Sequence, residues 1–201
     1  VKEYKGRSYF ELILQPKFLQ AVASAAFAYA VMSFLMTATP INMHVMEHYS
    51  LNKTGIVIQL HIVSMFLPSL ITGNLIKKFG HSKIIYAGVA LYILTILLSF
   101  LEPSFFNYIL ALVFLGLGWN FLYLSGTGLL VLSYREEEKY KAQGFNDVLV
   151  FSTQALASLS AGYMLNITSW KAMNLITIPF LVLIIFSSIR ADLSKDGKLK
   201  N

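Results

Sequence analysis

Six apolar runs, each free of Lys and Arg, dominate the sequence and constrain its fold. A helix of about 20 apolar residues crosses the roughly 30 Å hydrocarbon core of a bilayer. Only 13% of the residues are charged, against roughly a quarter in soluble domains. The sequence therefore predicts an all-α integral membrane protein with six transmembrane helices. We expect them at Phe18–Met43, Thr54–Ile76, Ile84–Leu101, Phe105–Leu132, Phe145–Leu165 and Ala172–Ile189.

The basic residues predict how these spans are oriented. Of the 16 Lys and Arg residues, all but Lys53 and Lys171 fall at the chain ends or after the second and fourth spans. Loops rich in Lys and Arg stay in the cytoplasm, so both termini are expected there. This topology accounts for the net charge of +6 without a nucleic-acid partner. The acidic triplet 136–138 is expected to be a solvated part of one cytoplasmic loop.

The polar residues divide the spans into two groups. The third and sixth spans are nearly free of polar side chains, whereas the first, second, fourth and fifth carry amides, hydroxyls, His, Trp or Asp. Because unpaired polar groups are costly in lipid, they should face protein or a water-filled cavity. We therefore expect the third and sixth spans to face lipid and the other four to line a cavity.

The turn between the second and third spans carries a recognisable pattern. It reads GNLIKKFGHSK from Gly73 to Lys83, which resembles G-x-L-x-D-R-x-G-R-R-x, the cytoplasmic signature of the major facilitator superfamily (MFS). Lys77 stands where that family has an acidic residue. The matching positions are Gly73, Leu75, Lys78, Gly80 and Lys83. The segments MTATP and GLGWNFLYLSGT and the fifth span extend this likeness along the chain. The chain as a whole resembles spans seven to twelve of such a transporter.

This resemblance implies a specific architecture. The fold would be an MFS half-bundle of two inverted three-helix repeats, with the N-terminal six-span half of the same protein as its partner. Residues 1–17 would be the end of a cytoplasmic central loop, 18–190 the six-span domain and 191–201 a cytoplasmic tail. The implied activity is alternating-access transport of a small organic solute across the inner membrane, with proton coupling and no cofactor. Facilitated diffusion, a stand-alone half-transporter that dimerises and a channel or assembly module stay open.

Candidate functional residues are the polar and aromatic side chains at membrane depth. Each could instead serve helix packing, and for Asp147 with Asn146 we weigh proton coupling or gating against stabilisation of a helix N-terminus. Gln59 and His61 are two apart, so only one of them should face the cavity. The cavity candidates are Thr37, Asn42, Gln59, His61, Trp119, Asn120, Tyr123, Ser152 and Gln154.

The stretch HVMEH, residues 44–48, fits H-x-x-E-H, a zinc-peptidase pattern. Such a site needs a further ligand, and the acidic triplet 136–138 is expected on the opposite side of the membrane. We therefore expect a polar helix end and no metal. An intramembrane serine protease, which also has six spans, is disfavoured because no histidine follows His81 to act as base. The sequence predicts a protein that is not an enzyme.

Overall fold

The structure is a computed structural model and describes residues 6–194. It contains helices and no strand within that range. A short helix α1 precedes long helices that run back and forth, and α2 continues into a π-helix at Asn42–Met46. The helices are α1 (Tyr9–Leu14), α2 (Pro16–Ile41), α3 (Leu51–Phe66), α4 (Ser69–Phe79), α5 (His81–Leu98), α6 (Phe105–Val131), α7 (Lys139–Ile167), α8 (Trp170–Ile176) and α9 (Ile178–Leu193).

The helices account for six membrane crossings, as the sequence predicts. Five helical stretches in the described range are long and apolar enough to span a bilayer, and α3 with α4 makes a sixth that is bent by 42°. This bend falls at Leu67 and Pro68, where proline removes a backbone donor. The second span, expected at Thr54–Ile76, is therefore bent at the proline within it. The last span is divided at Thr177, ahead of Pro179.

Helix starts follow local capping chemistry. Ser50, Ser104 and Ser169 each accept a backbone N–H three residues ahead, which satisfies a free donor at the start of α3, α6 and α8. Fifth-span residues are helical from Lys139, six residues before the predicted start, because the helix extends past the apolar segment. Hydropathy therefore predicts the segment that crosses the membrane, but not the full length of the helix that contains it.

Helix α6 lies at the centre of the bundle, packed against α2, α3 and α5. A Cβ added to Gly126 would lie 2.8 Å from the Ala21 carbonyl oxygen of α2. A Cβ added to Gly116 would lie 2.7 Å from the His61 carbonyl oxygen of α3. Only glycine permits backbones to approach this closely, as small residues do in many membrane bundles.

Helix α7 is the least covered of the five long spans, and its main neighbour is α2. Its uncovered surface includes Val148, Leu156 and Leu159. The sequence places α7 in the group that faces protein or a cavity, yet no helix within residues 6–194 covers this surface. Helix α3 also has an uncovered apolar side, which carries Val63 and Phe66.

The segment before the first span is fastened to the α6–α7 connection. Arg7 Nε donates to Glu138 Oε1 at 2.8 Å, and the Glu138 side chain is fully buried. Lys141 Nζ donates to the Arg7 carbonyl oxygen at 2.8 Å. The hydrogen bond that Arg7 donates to Glu138 raises the pKa of Arg7, which lies outside the membrane-spanning helices.

The expectation of a solvated acidic triplet is therefore wrong for Glu138. Glu136 and Glu137 are exposed, as predicted. Glu138 instead lies in the interface with residues before α1, where a buried carboxylate needs a partner. Residues 1–5 of the predicted lead-in and 195–201 of the predicted tail lie outside the described residues.

Candidate functional site

An aromatic cluster joins α2 and α6 midway along the bundle. The rings of Trp119 and Tyr123 are stacked, with centroids 5.0 Å apart and an interplanar angle of 12°. Tyr29 of α2 meets both edge-on, at 5.1 Å from Trp119 and 4.9 Å from Tyr123. The sequence predicts the shared face of Trp119 and Tyr123, which the structure confirms, but gives no sign of Tyr29.

The rim of this cluster is open. Phe66 of α3 lies 5.9 Å from Trp119 and is 59% exposed, and Phe151 of α7 lies 6.5 Å from Tyr29 and is 56% exposed. The indole Nε1 of Trp119 is buried and has no acceptor within residues 6–194. The cluster therefore surrounds the buried Trp119 indole with exposed aromatic rings at its rim, an arrangement that suits a planar aromatic molecule.

Asn120, predicted as a cavity residue, is instead engaged inside the bundle. Its Nδ2 donates to the Met65 carbonyl oxygen and to Ser69 Oγ, both at 2.7 Å, while its Oδ1 accepts from Thr72 at 2.6 Å. These partners lie on both sides of the bend between α3 and α4. Since the side chain is fully buried and its partners are all protein groups, Asn120 stabilises the broken span.

His61 and Gln59 lie on different faces of α3, as their spacing predicts. His61 is fully buried, and its Nδ1 donates to the Leu112 carbonyl oxygen of α6 at 2.8 Å. Gln59 is exposed on the open side of α3. The structure therefore places His61 in helix packing and leaves Gln59 accessible.

The remaining cavity candidates are dispersed along α2 and α7. The Thr37 and Ser158 hydroxyl oxygens are 3.1 Å apart, which links these two helices. Asn42 is buried and its Nδ2 donates to the Tyr108 hydroxyl oxygen at 2.6 Å. Ser152 is exposed and Gln154 half-buried on α7. The structure does not bring these side chains into one site with the aromatic cluster.

Asp147 lies on the uncovered side of α7, two turns after its start. Asn146 is buried beside it, and its Nδ2 donates to Asp147 Oδ1 at 3.3 Å. Apart from this neighbour, the carboxylate has no hydrogen-bond partner in the described part of the chain. Asp147 is therefore free to meet a solute, a proton or another protein surface.

The HVMEH stretch forms the π-helical end of α2 and the turn after it. His44 is exposed, and its Nδ1 lies 2.8 Å from the Tyr49 carbonyl oxygen. Among residues 6–194, no group of three or more His, Asp or Glu side chains is arranged to hold a metal ion. The zinc pattern has no matching geometry.

Residues 21–200 match the family described as the Major Facilitator Superfamily. The chain belongs to this superfamily. It is 36% identical over 180 residues to the riboflavin transporter RfnT of Brucella anthropi, an alignment that covers 90% of this chain and 45% of that protein. It is 37% identical over 150 residues to the uncharacterized MFS-type transporter YddS of Bacillus subtilis, covering 74% of this chain and 34% of that protein. The chain thus spans less than half the length of these relatives.

The turn that resembles the superfamily signature joins α4 to α5. Gly80 ends α4 with φ of 86°, a left-handed conformation that glycine adopts without strain. Gly73, Lys78 and Lys83 are exposed and Leu75 is half-buried. The pattern therefore supplies a tight turn with its cations on the surface.

Asp192, which the sequence did not single out, links helices at this end of the bundle. Asp192 of α9 accepts from Ser82 Oγ at 2.7 Å and from the Tyr86 hydroxyl at 2.9 Å, both on α5. Gln20 of α2 donates to Ser82 Oγ at 3.0 Å. The available signal was an acidic residue three positions past the predicted end of the sixth span. The network joins three helices beside the signature turn.

Proposed function

We propose that this chain is the C-terminal half of a twelve-span transporter that moves a small organic solute by alternating access. The superfamily match, the share of RfnT that the alignment covers and the signature-like turn between the second and third spans support this. The partner would be the N-terminal six-span half of the same protein, facing the uncovered sides of α3 and α7. Residues 18–190 would form the transport domain, preceded by a central-loop segment at 1–17 and followed by a tail at 191–201.

The solute class that the geometry supports best is a planar heteroaromatic molecule, with riboflavin as the first candidate. The aromatic cluster carries this proposal, because half-buried Tyr29 and Tyr123 and exposed Phe66 and Phe151 place aromatic ring surface around Trp119. The identity to RfnT, whose name states riboflavin transport, agrees with this chemistry.

Uptake of radiolabelled riboflavin by cells that express the full native protein tests the proposal. We expect saturable uptake, and we expect Tyr123→Leu to raise KM about 2- to 10-fold, since one aromatic contact contributes about 0.5–1.5 kcal/mol. Tyr163→Leu is the matched control, because this exposed aromatic of α7 lies outside the cluster. Correctly inserted protein without riboflavin uptake above vector cells would exclude riboflavin.

The energy source we propose is a proton gradient, with Asp147 as the coupling group. Its support is the position of this carboxylate on the uncovered side of α7. Gln59 of α3 and Ser152 of α7 are exposed and Gln154 of α7 is half-buried, and these three are the remaining candidates for polar solute contacts. Facilitated diffusion is the alternative, and it predicts that neutralising Asp147 leaves uptake unchanged.

The proposed membrane is the cytoplasmic one, with both ends of the chain inside. The concentration of Lys and Arg at one end of the bundle supports this orientation. We further propose that the protein transports without covalent chemistry. A stand-alone half that acts as a homodimer is the alternative, and the length of the native polypeptide on an immunoblot separates the two. A band about twice the size of this chain supports the two-half protein.

A further inference from the structure

A second cavity lies at the end of the bundle opposite the signature turn, far from the aromatic cluster along α2 and α6. Its volume is about 340 Å³, and it lies between the π-helical end of α2, the start of α6 and the α7–α8 connection. Cavities that hold small molecules begin at about 300 Å³. The space is therefore large enough for a small organic ligand.

Two opposite charges line this cavity without meeting. Glu47 follows the π-helix of α2, and Lys171 lies in the first turn of α8. Neither forms an ion pair with another residue of the range 6–194. The cavity thus presents a carboxylate from one element and an ammonium from another.

The walls between the charges combine apolar and polar surface. Leu165 and Met46 contribute apolar surface, and the Trp170 ring packs at 5.8 Å from Tyr108. Asn42 directs Nδ2 to the Tyr108 hydroxyl oxygen, and its Oδ1 has no donor among the described residues. A ligand would therefore find an unused acceptor beside an aromatic wall.

We propose that this cavity binds a small zwitterion, with the ligand ammonium at Glu47 and its carboxylate or phosphate at Lys171. Such a ligand pairs both charges, whereas a singly charged ligand leaves one of them unpaired. Two sources share this chemistry, a free amino acid with an apolar side chain and the head group of phosphatidylethanolamine. The π-helical segment beside the cavity fits a binding role, because short π-helical segments within α-helices are frequent at functional sites.

The test uses the full native protein in nanodiscs of phosphatidylglycerol, which carries no zwitterionic head group. L-phenylalanine is titrated by calorimetry, and in separate nanodiscs phosphatidylethanolamine replaces part of the lipid while the unfolding temperature is recorded. We expect a signal from at least one source. Glu47→Gln and Lys171→Gln should each weaken it at least about tenfold, since charged hydrogen bonds are the strong ones.

Matched controls lie at the same end of the bundle. Lys53→Gln and Glu102→Gln remove charges outside the cavity lining and should leave the signal unchanged. For a free amino acid, phenethylamine and 3-phenylpropionate should bind at least about tenfold more weakly than L-phenylalanine. The proposal is overturned if neither source gives a signal, if the signal survives both lining variants, or if phenethylamine binds as tightly as L-phenylalanine. Riboflavin uptake is measured separately, so either proposal can fail alone.

Discussion

Thr72 of α4 donates its hydroxyl to Oδ1 of Asn120 of α6, with 2.6 Å between the two oxygens. Asn120 also donates to Met65 and Ser69, which lie on the two sides of the bend in the second span. One side chain of the central helix thus holds both pieces of a broken helix. A proline break in a membrane helix is tolerated where neighbouring helices satisfy the freed backbone groups.

Asn120→Ala should therefore destabilise the bundle. The Met65 carbonyl and the Thr72 and Ser69 hydroxyls lose their common partner, and we expect a loss of about 1–3 kcal/mol in the free energy of unfolding. Denaturant unfolding in detergent measures this loss. Asn52→Ala, at an exposed site in the first turn of α3, should change the value by less than about 0.5 kcal/mol. Equal effects of the two variants would contradict the bracing role.

Gly126→Ala should destabilise the contact between α2 and α6. The added Cβ would lie 2.8 Å from the Ala21 carbonyl oxygen and 2.9 Å from the Ala25 nitrogen, which are backbone atoms that cannot move aside cheaply. Overpacking of this kind costs about 1–3 kcal/mol. Gly144→Ala in α7 has open space around it and should stabilise the helix by about 0.5–1 kcal/mol. Opposite signs in thermal unfolding are the expected result.

Arg7→Met should loosen the segment before α2. The buried Glu138 carboxylate loses its charged partner, and we expect a cost of about 1.5–3 kcal/mol. Glu136→Gln is the control, because it breaks only the exposed pair with Lys139, and should cost less than about 1 kcal/mol. Hydrogen exchange at α1 reports the loosening locally. Unchanged exchange in Arg7→Met would show that the ion pair does not hold the segment.

Asp147→Asn should abolish uphill, gradient-driven uptake and spare solute exchange. The neutral amide cannot take up and release a proton, whereas it keeps nearly the same shape and leaves the solute path intact. Proteoliposomes with an imposed pH gradient measure the first activity and counterflow the second. Glu137→Gln, an exposed carboxylate of the α6–α7 connection, should retain both. Full uphill uptake in Asp147→Asn would remove Asp147 from coupling.

Cysteine labelling should place the two ends of the bundle on opposite sides of the membrane. The chain has no cysteine, so a single introduced thiol in this half reports its own location. We expect Lys53→Cys to react with an impermeant maleimide in intact cells, whereas Lys83→Cys should react only after permeabilisation. Any native cysteines of the remaining protein are first replaced by serine. The reverse pattern would invert the proposed orientation.

The six crossings and their approximate limits could be predicted because hydropathy follows directly from composition along the chain. The roles of the polar residues could not, because an amide or imidazole inside a membrane protein serves packing and binding equally well. Which role applies depends on the rotation of each helix about its axis. Residue spacing predicted that Gln59 and His61 lie on different faces of one helix and that Trp119 and Tyr123 share a face. Nothing in the sequence revealed that Asn120 faces the bend of the second span.

Contacts between residues far apart in the sequence could not be predicted either. Glu138 has the same local composition as its exposed neighbours, and only the fold brings Arg7 to it. Asp192 lies just past the predicted end of the sixth span, where its contact with Ser82 depends on how α9 packs against α5. The partners of both carboxylates are identified by tertiary structure alone.

The contact between Arg7 and Glu138 also has a consequence for biosynthesis. The ribosome makes Arg7 131 residues before its partner. At about 5–20 residues per second, the interval is on the order of ten seconds. During this time the four spans between the two residues are synthesised, and the segment before α2 has no docking site until the last of them has left the ribosome. Its docking therefore marks the moment at which the fourth span is in place, and a chain stalled earlier would present this segment to proteases.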